Sequence, residues 1–256
     1  MGAAQPVRDG SQTRSDTSAV RIGLLLPDVL GTYSDSGNAT VLAKRLEWRG
    51  VATTVVPVRL GEPVPASLDL YMLGGGEDDA QALAAARLRA SPGLRKATAR
   101  GSVVLGICAG FQILGRRFTT SDRVEHTGLE LLDAATVPGT RRAVGEVVAH
   151  VDATLGGQPL TGFENHQGHT ELGPDGRPLG RVTRGVGNGD GTEGALSGRV
   201  IGTYLHGPVL ARNPALADLL LSWVLGTPPR PLELPEVTEL RRERLAHDRV
   251  GIRARS

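Results

Sequence analysis

Two side chains in this sequence have the chemistry of a nucleophile and its base, and the first is a cysteine. Cys108 is the only cysteine among 256 residues, with Gly106 and Gly110 two positions to either side. The run Val103 to Ile107 is typical of a buried strand, and Ala109 to Leu114 then changes to a helical pattern. A residue at such a turn projects out of the sheet, and the adjacent helix N-terminus favours a thiolate.

A lone cysteine after an apolar strand more often fills space in a hydrophobic core. Here the flanking glycines allow other backbone segments to pass close to the turn, and the strand gives way to a helix directly after the cysteine. We therefore predict that Cys108 is a nucleophile.

The second side chain is His206, which follows an apolar run over Val200 to Leu205. That run predicts a buried strand, and parallel strands display functional side chains at their carboxyl ends. A structural histidine is the alternative. The position at the strand end, before Gly207 and Pro208, favours a general base for Cys108.

The other five histidines are weaker candidates. His126, His150 and His247 lie in polar sequence contexts that are typical of a surface. His166 and His169 are three residues apart, but the chain has no second cysteine and no further ligand pattern. We therefore predict no metal site.

The segment Gly74, Gly75 and Gly76 follows the apolar run L-D-L-Y-M-L. It could be a tight turn, whereas a phosphate-binding loop is disfavoured because neither glycine fingerprint for phosphate occurs in the chain. A third interpretation is an oxyanion hole, in which N–H groups of this loop and of Ala109 face the oxygen of a tetrahedral intermediate. With a nucleophile at Cys108, we favour the third interpretation.

The composition argues against several function classes. Basic residues number 29 and acidic residues 27, so the net charge is only +2, and aromatic residues make up 3%. Neither a nucleic-acid-binding surface nor base-stacking platforms are expected. A single cysteine excludes an intramolecular disulfide, and no window approaches the apolar length of a membrane span. We predict a cytoplasmic protein.

Strand and helix patterns alternate before the cysteine, and the chain after it is mostly β. This order predicts an α/β fold, a flavodoxin-like parallel sheet with helices on both faces and a more β-rich C-terminal half. The predicted strands are 20–26, 51–58, 68–73, 103–107, 129–137, 143–151, 180–186 and 200–205, and the predicted helices are 39–46, 81–90, 94–100, 109–114 and 214–225, with Asn213 as N-cap of the last.

The same patterns divide the chain into three parts. Residues 1–19 are polar and without periodicity, which predicts a disordered leader rather than a signal peptide. Residues 20–226 form the single predicted domain, and residues 227–256 are an extension predicted to contain a loop and a charged helix.

The motifs together resemble a known enzyme family. G-I-C-A-G-F-Q, G-G-G-E-D-D-A-Q and G-T-Y-L-H-G-P are similar to the nucleophile turn, oxyanion loop and histidine strand of class I glutamine amidotransferases, in the CobB/CobQ-like branch. Y-S-D-S-G-N, G-F-E-N-H-Q-G-H-T and Y-L-H-G-P-V-L-A-R-N-P narrow the resemblance to members that serve a separate synthetase subunit. The resemblance covers about residues 20–225.

The resemblance implies a reaction and site residues. Cys108 would attack the side-chain amide of L-glutamine, form a thioester and release ammonia, while His206 would transfer the protons. Arg142 aligns with the arginine that binds the substrate, although the residues alone favour a solvated Arg141–Arg142 pair. The residues that the resemblance implies for substrate binding are Arg142, Gly75 and Gln112. Those implied for binding the oxyanion are Gly75, Gly76 and Ala109.

One position departs from the family pattern. Many members carry a glutamate two residues after the histidine, and this chain has Pro208 there. We expect a carboxylate of the partner subunit to orient His206, with Glu164 of this chain as the alternative.

The partner follows from the same resemblance. This chain has no nucleotide-binding motif, so no cofactor is expected in it. The resemblance implies a heterodimer with a Mur-ligase-like synthetase subunit that holds ATP and Mg²⁺. That subunit would use the ammonia to convert D-glutamate of lipid II into D-isoglutamine during peptidoglycan synthesis.

Three other functions are compatible with a reactive cysteine on this fold. The chain could be the amidotransferase part of a cobyrinate-type synthase, or a cysteine peptidase or γ-glutamyl hydrolase. A non-catalytic regulatory module would tolerate loss of the Cys108 thiol.

Overall fold

The computed structural model describes residues 19–31 and 35–253, without the side chains of residues 247–253. The predicted leader lies outside this range except for its last residue, and so does the side chain of His247.

The strands form two sheets. In chain order they are β1 (Val20–Leu25), β2 (Thr53–Val58), β3 (Leu70–Leu73), β4 (Val103–Ile107), β5 (Arg117–Thr119), β6 (Glu125–Thr127), β7 (Ala134–His150), β8 (Leu160–Leu172), β9 (Gly180–Arg184), β10 (Thr192–Glu193), β11 (Ala195–Ser197) and β12 (Val200–Thr203). The first sheet has the order β11-β12-β4-β3-β1-β2, and only its edge strand β11 is antiparallel to its neighbour. The second sheet has the order β10-β9-β7-β5-β6, with β8 paired to β7.

Both faces of the first sheet are buried, as the prediction of helices on both faces requires. Along β3, Leu70 and Met72 belong to one hydrophobic cluster, whereas Tyr71 and Leu73 belong to the other. This alternation follows from the two-residue period of a strand, and it explains why β3 and β4 read as continuous apolar runs. The predicted α/β fold is confirmed.

All predicted helices are present. In chain order the helices are α1 (Gly37–Glu47), α2 (Asp78–Ala90), α3 (Gly93–Ala99), α4 (Ala109–Leu114), α5 (Val209–Arg212), α6 (Pro214–Leu225) and α7 (Pro235–Arg253). Asn213 is the N-cap residue of α6, as predicted, but its side chain makes no capping hydrogen bond. Its amide instead binds the backbone N–H and carbonyl of Thr161, at 2.9 and 2.8 Å, and so joins the start of α6 to β8.

Strands β7 and β8 form a long hairpin that sequence patterns described only in part. Two predicted strands are one strand of 17 residues, interrupted by a shift of register between Pro138 and Ala143. The proline and glycine in this bulge interrupt the alternation of apolar and polar residues, and the strand was therefore predicted as two. Strand β8 was not predicted because its centre, E-N-H-Q-G-H, is polar throughout.

The extension contains the predicted helix, α7, and one arginine anchors it. Arg241 donates hydrogen bonds to the backbone carbonyls of Arg212 and Pro159 and to Oδ1 of Asn213. In the described part of the chain no helix is both long and apolar enough to cross a bilayer.

A buried ion pair fixes α1 against α6. The guanidinium of Arg45 binds both carboxylate oxygens of Asp218, at 3.0 and 2.6 Å, and Arg49 binds the same carboxylate at 2.9 Å. Only 6% of the Arg45 side chain and 3% of the Arg49 side chain are exposed. The ion pair therefore fixes the segment that precedes α1 relative to the segment that precedes α5 and α6.

We expect Asp218→Asn to lower the free energy of unfolding by about 2–3 kcal/mol, because two buried arginines lose their counter-charge. The loss is smaller than for a fully buried pair because 28% of the Asp218 side chain is exposed. Urea unfolding measures it. The matched control is Glu47→Gln, which removes an exposed pair with Lys44 and should change stability by about 0.5 kcal/mol or less. Equal effects of the two substitutions would contradict this account of the α1–α6 contact.

Candidate active site

Cys108 occupies a strained turn between β4 and α4. Its backbone has φ 53° and ψ −106°, a left-handed conformation that a residue with a side chain rarely adopts. The Cys108 N–H donates to the carbonyl of Thr203 at the end of β12, at 2.8 Å. Such strain persists where the surroundings hold it, and at this kind of turn it presents a nucleophile above the sheet.

The flanking glycines are required by close backbone contacts. A Cβ atom on Gly106 would lie 2.7 Å from the carbonyl oxygen of Gly110, and one on Gly110 would lie 2.6 Å from that of Leu73. The Gly110 N–H also donates to the carbonyl of Gly74, at 3.1 Å. The prediction that neighbouring backbone passes close to the turn is confirmed.

The pairing of β12 with β4 brings His206 to the cysteine. Thr203 lies opposite Ile107 in this parallel pair, so both chains leave the sheet at the same level. Beyond the strand, the backbone of His206 pairs with that of Phe163 in β8, and only 1% of the histidine is exposed. The predicted cysteine and histidine therefore lie at one edge of the sheet.

The carboxylate that orients His206 comes from Asp35. Both oxygens of Asp35 lie 3.1 Å from Nδ1 of His206, and one of them accepts the N–H of Gly75 at 2.9 Å. The expectation of a carboxylate from a partner subunit is therefore corrected, because Nδ1 is already occupied. Glu164 is not the alternative either, since its oxygens accept the N–H groups of Val186 and Gly187.

Pro208 and Gly37 explain how Asp35 reaches the histidine. A Cβ atom on Gly37 would lie 2.6 Å from Cγ of Pro208, so the start of α1 rests directly on Pro208. Asn38 ties the same two segments together, because its Oδ1 accepts the N–H of Leu210 at 2.9 Å. The proline thus supports the segment that carries Asp35.

The electrostatics of this arrangement favour a protonated histidine. Burial lowers the pKa of His206, but hydrogen bonds to Asp35 and Cys108 and the negative charges of both raise it, to about 9. His206 can therefore hold the proton that a cysteine gives up and keep it at neutral pH.

A buried acid supports the strand that leads to His206. Oε1 of Glu193 accepts the backbone N–H of Tyr204 at 2.8 Å and the hydroxyl of Thr203 at 2.9 Å. Burial raises the pKa of Glu193 to about 7, although these two hydrogen bonds act in the opposite direction.

A cavity of about 580 Å³ opens above the cysteine. The structure brings every predicted site residue into its lining: Gly75, Gly76, Cys108, Ala109, Gln112, Arg142 and His206. The Gly75 N–H is committed to Asp35, so Gly76 and Ala109 are the pair that we carry forward as candidate oxyanion donors. Ala109 is the first residue of α4, where helix N–H groups have no partner within the helix.

Two candidate substrate contacts are fixed by neighbours. The Gln112 amide accepts from Nε2 of Gln81 at 2.7 Å and donates to the hydroxyl of Tyr204 at 3.1 Å. Nε of Arg142 donates to Oδ1 of Asn165 on the neighbouring strand, at 2.6 Å. Both side chains are thus held in one orientation at the cavity wall.

The other four histidines whose side chains are described differ in their surroundings. His166 is buried and stacks on Tyr204 with ring centroids 3.7 Å apart, whereas the His169 ring lies beside Gly189. His150 is exposed as predicted, but His126 is half-buried and stacks on Phe118. Among the described residues no three His, Cys, Asp or Glu side chains are grouped to hold a metal.

Sequence reasoning missed Asp35, Asn165 and Tyr204 as contributors to the site. Asp35 lies within Y-S-D-S-G-N, a stretch that carried the family resemblance, so its position was marked although its role was not. Asn165 sits opposite Val144 across the β7–β8 hairpin, a pairing that the undetected strand concealed.

Comparison with known proteins gives consistent matches. The profile of the CobB/CobQ-like glutamine amidotransferase domain matches residues 21–214. The GatD subunit of lipid II isoglutaminyl synthase (glutamine-hydrolyzing) from Staphylococcus aureus strain N315 is 36% identical over 238 residues, which is 90% of this chain and 96% of that protein. The same subunit from Streptococcus pneumoniae strain R6 is 31% identical over 93% of each chain.

Two further matches are more partial. Cobyric acid synthase from Sphingopyxis alaskensis is 34% identical over 68% of this chain but only 35% of that protein. A crystal structure of a glutamine amidotransferase shares the fold, with a TM-score of 0.54 and 19% identity over 79% of this chain and 98% of that one.

We expect Asp35→Asn to lower the pKa of His206 below about 9, because the hydrogen bond and the charge of Asp35 both raise it, whereas the contributions of Cys108 remain. An NMR titration of the imidazole measures this shift. The control is Asp122→Asn, which changes a carboxylate that lines the same cavity but bonds to Thr120. An unchanged His206 pKa in the Asp35 variant would rule out this carboxylate as its partner.

Proposed function

Because the chain belongs to the CobB/CobQ-like glutamine amidotransferase family, we propose that it hydrolyses L-glutamine to glutamate and ammonia and delivers the ammonia to a synthetase subunit. The observation that carries this proposal is that Cys108, His206 and Arg142 line one cavity, with Asp35 bonded to Nδ1 of His206.

The reaction follows from the geometry of these groups. His206 accepts the thiol proton, and the Cys108 sulfur attacks the side-chain amide carbon of glutamine. The oxyanion that forms faces the N–H groups of Gly76 and Ala109. When the C–N bond breaks, His206 returns the proton to the nitrogen, which leaves as ammonia, and a γ-glutamyl thioester remains on Cys108.

Water completes the cycle. His206 takes a proton from a water molecule that attacks the thioester carbon, and the C–S bond breaks as the thiolate leaves. Glutamate departs, and His206 again holds the proton that the cysteine gave up. Asp35 keeps Nε2 of the imidazole directed at the reacting atoms throughout, because it holds Nδ1.

Arg142 supplies selectivity for the free amino acid. With Nε bound to Asn165, the remaining edge of the guanidinium can hold the α-carboxylate of glutamine with two parallel hydrogen bonds. Amides without this carboxylate would lose the contact, so simple amides and internal peptide glutamines are poor substrates.

The acceptor of the ammonia lies in a separate subunit. The Staphylococcus and Streptococcus relatives are named as subunits of lipid II isoglutaminyl synthase, and the match extends over almost their whole length. We therefore assign to a Mur-ligase-like partner the binding of ATP and Mg²⁺ and the amidation of the D-glutamate α-carboxyl group of lipid II. The match to cobyric acid synthase covers only a third of that protein and favours the alternative less.

We expect Cys108→Ala to reduce glutamate formation at least about a thousandfold, because the thioester cannot form. The measurement is glutamate and ammonia release from L-glutamine by the purified chain alone and with its co-purified partner. The wild-type chain alone should be active, since Asp35 orients His206 without help from another subunit. No release by the wild type with partner present would refute the proposed function.

We expect Asn165→Ala to raise KM for glutamine about tenfold while kcat changes less than threefold, because it frees Arg142 without touching the reacting atoms. The control is Gln167→Ala. Gln167 also lies on β8 and lines the same cavity, two residues from Asn165, but it makes no hydrogen bond to Arg142. A fall in kcat at unchanged KM would show that Asn165 acts elsewhere.

A further inference from the structure

A chain of hydrogen bonds between side chains leads from the wall of the active-site cavity into the second sheet. It starts on α2, passes through α4 and the residue directly after β12, and ends on β8 and β7. Its members are Gln81, Gln112, Tyr204, Thr170 and Thr136. Only Gln112 among them is a candidate substrate contact.

The bonds of this chain run in one sense. Nε2 of Gln81 donates to Oε1 of Gln112 at 2.7 Å, and Nε2 of Gln112 donates to the Tyr204 hydroxyl at 3.1 Å. An amide nitrogen does not accept, so the single hydrogen of Tyr204 is left for Oγ1 of Thr170, at 2.7 Å. Burial raises the pKa of Tyr204 to about 12, so the hydroxyl keeps this hydrogen at neutral pH. The hydroxyl of Thr170 lies 2.8 Å from that of Thr136, to which it can donate in turn.

Contacts on several sides hold the Tyr204 ring. It stacks on His166 with centroids 3.7 Å apart and lies edge-to-face with Phe111 at 5.2 Å. A Cβ atom on Gly168 would lie 2.5 Å from the Tyr204 hydroxyl and 2.6 Å from Nε2 of Gln112. The backbone of β8 therefore closes over the bond between Tyr204 and Gln112, and the tyrosine is fully buried.

Stability alone does not explain polar groups at these buried positions. A buried hydroxyl or amide gives up its bonds to water, so the net gain from a bonded pair is small, whereas an apolar side chain of similar shape gains from burial. The polar chain adds a fixed orientation, because each member restricts the rotation of the next. The amide of Gln112, at the cavity wall, is thus held from both ends.

This amide lies close to the nucleophile in the fold. Gln112 is one helical turn after Cys108, and its backbone N–H donates to the Cys108 carbonyl at 3.1 Å. Nε2 of Gln112 carries two N–H groups, of which Tyr204 accepts one, and no other described residue accepts the second. The second N–H is left for an acceptor in the cavity, which in glutamine is an oxygen atom.

We propose that Tyr204 is a positioning residue for glutamine binding: its hydroxyl, held by Thr170, turns the Gln112 amide so that one N–H meets an oxygen of the substrate. The inference rests on the proposed function, since it concerns how the same site holds glutamine. Tyr204 does not line the cavity, so it acts through Gln112 and not by contact with the substrate.

The first test removes the hydroxyl of Tyr204 and keeps the ring. Tyr204→Phe is compared with Tyr71→Phe, because Tyr71 is also fully buried and its hydroxyl also makes two hydrogen bonds. Those bonds go to backbone atoms of Pro65 and Leu68, which lie outside the cavity lining.

The second test acts one step further along the chain. Thr170→Val removes the acceptor of the Tyr204 hydrogen and leaves Tyr204 and Gln112 in place. The matched control is Thr161→Val on the same strand, because the hydroxyl of Thr161 is buried and no described residue bonds to it.

Two measurements separate binding from turnover. In the full chain with its co-purified subunit, kcat and KM are measured for glutamate formation from L-glutamine, together with the midpoint of thermal unfolding. In a Cys108→Ala background, calorimetry measures the Kd for L-glutamine without turnover.

For Tyr204→Phe we expect KM and Kd to rise about tenfold while kcat stays within threefold of wild type. Thr170→Val should raise KM at least about threefold, because Tyr204 then has no fixed acceptor for its hydrogen. Tyr71→Phe and Thr161→Val should keep the wild-type KM, although Tyr71→Phe should lower the midpoint of unfolding about as much as Tyr204→Phe does.

A double variant checks that Tyr204 acts through Gln112. Tyr204→Phe should add nothing to Gln112→Ala, so the double variant should have the KM and Kd of Gln112→Ala alone. An unchanged KM and Kd in Tyr204→Phe, an equal rise in Tyr71→Phe, or additive effects in the double variant would overturn the inference. Absence of glutamate formation by the wild type would instead refute the proposed function, and the Kd values would still decide the role of Tyr204.

Discussion

The register between β4 and β12 is the constraint on which the site depends. Because these strands are parallel neighbours with Ile107 opposite Thr203, Cys108 and His206 leave the sheet together. The hydrogen bond from the Cys108 N–H to the Thr203 carbonyl then fixes the strained turn to the strand that carries the histidine. A slip of one residue would turn the side chains of β12 to the opposite face and separate the base from the nucleophile. Glu193 adds to this constraint, since it bonds the end of β12 from within the core.

The contact between Asp35 and His206 joins two segments that lie far apart in the chain. Asp35 and His206 are 171 residues apart, and the ion pair of Arg45 with Asp218 links the helices that follow them. Pro208, two positions after the histidine, packs on Gly37 at the start of α1, the helix that follows Asp35. The orientation of the His206 ring therefore depends on how α1 packs against the rest of the domain, and not on one loop alone.

The limits of sequence reasoning here follow from the range of the interactions concerned. Local patterns predicted the turn at Cys108 and the strand before His206, because a change of period and two glycines are visible within a dozen residues. They failed at β8, because this strand is polar and has no apolar–polar alternation that would indicate it. Its buried polar side chains, among them Glu164 and His166, are held by hydrogen bonds. They also failed at Asp35, because no pattern in one segment states which distant histidine a carboxylate will meet. For the same reason the sequence could not show that the N–H of Gly75 is bonded to Asp35. Gly75 is therefore no longer a candidate oxyanion donor.

The position of β12 in the sheet also bears on the order in which a ribosome delivers the chain. β12 lies between β4 and the edge strand β11, and it is the last strand among the described residues. Until it emerges, β4 has an open edge, and Cys108 has neither His206 beside it nor the carbonyl that holds its turn. The cysteine and the histidine therefore come together in the same step that pairs β12 with β4. A truncated product that ends before β12 would retain Cys108 without His206.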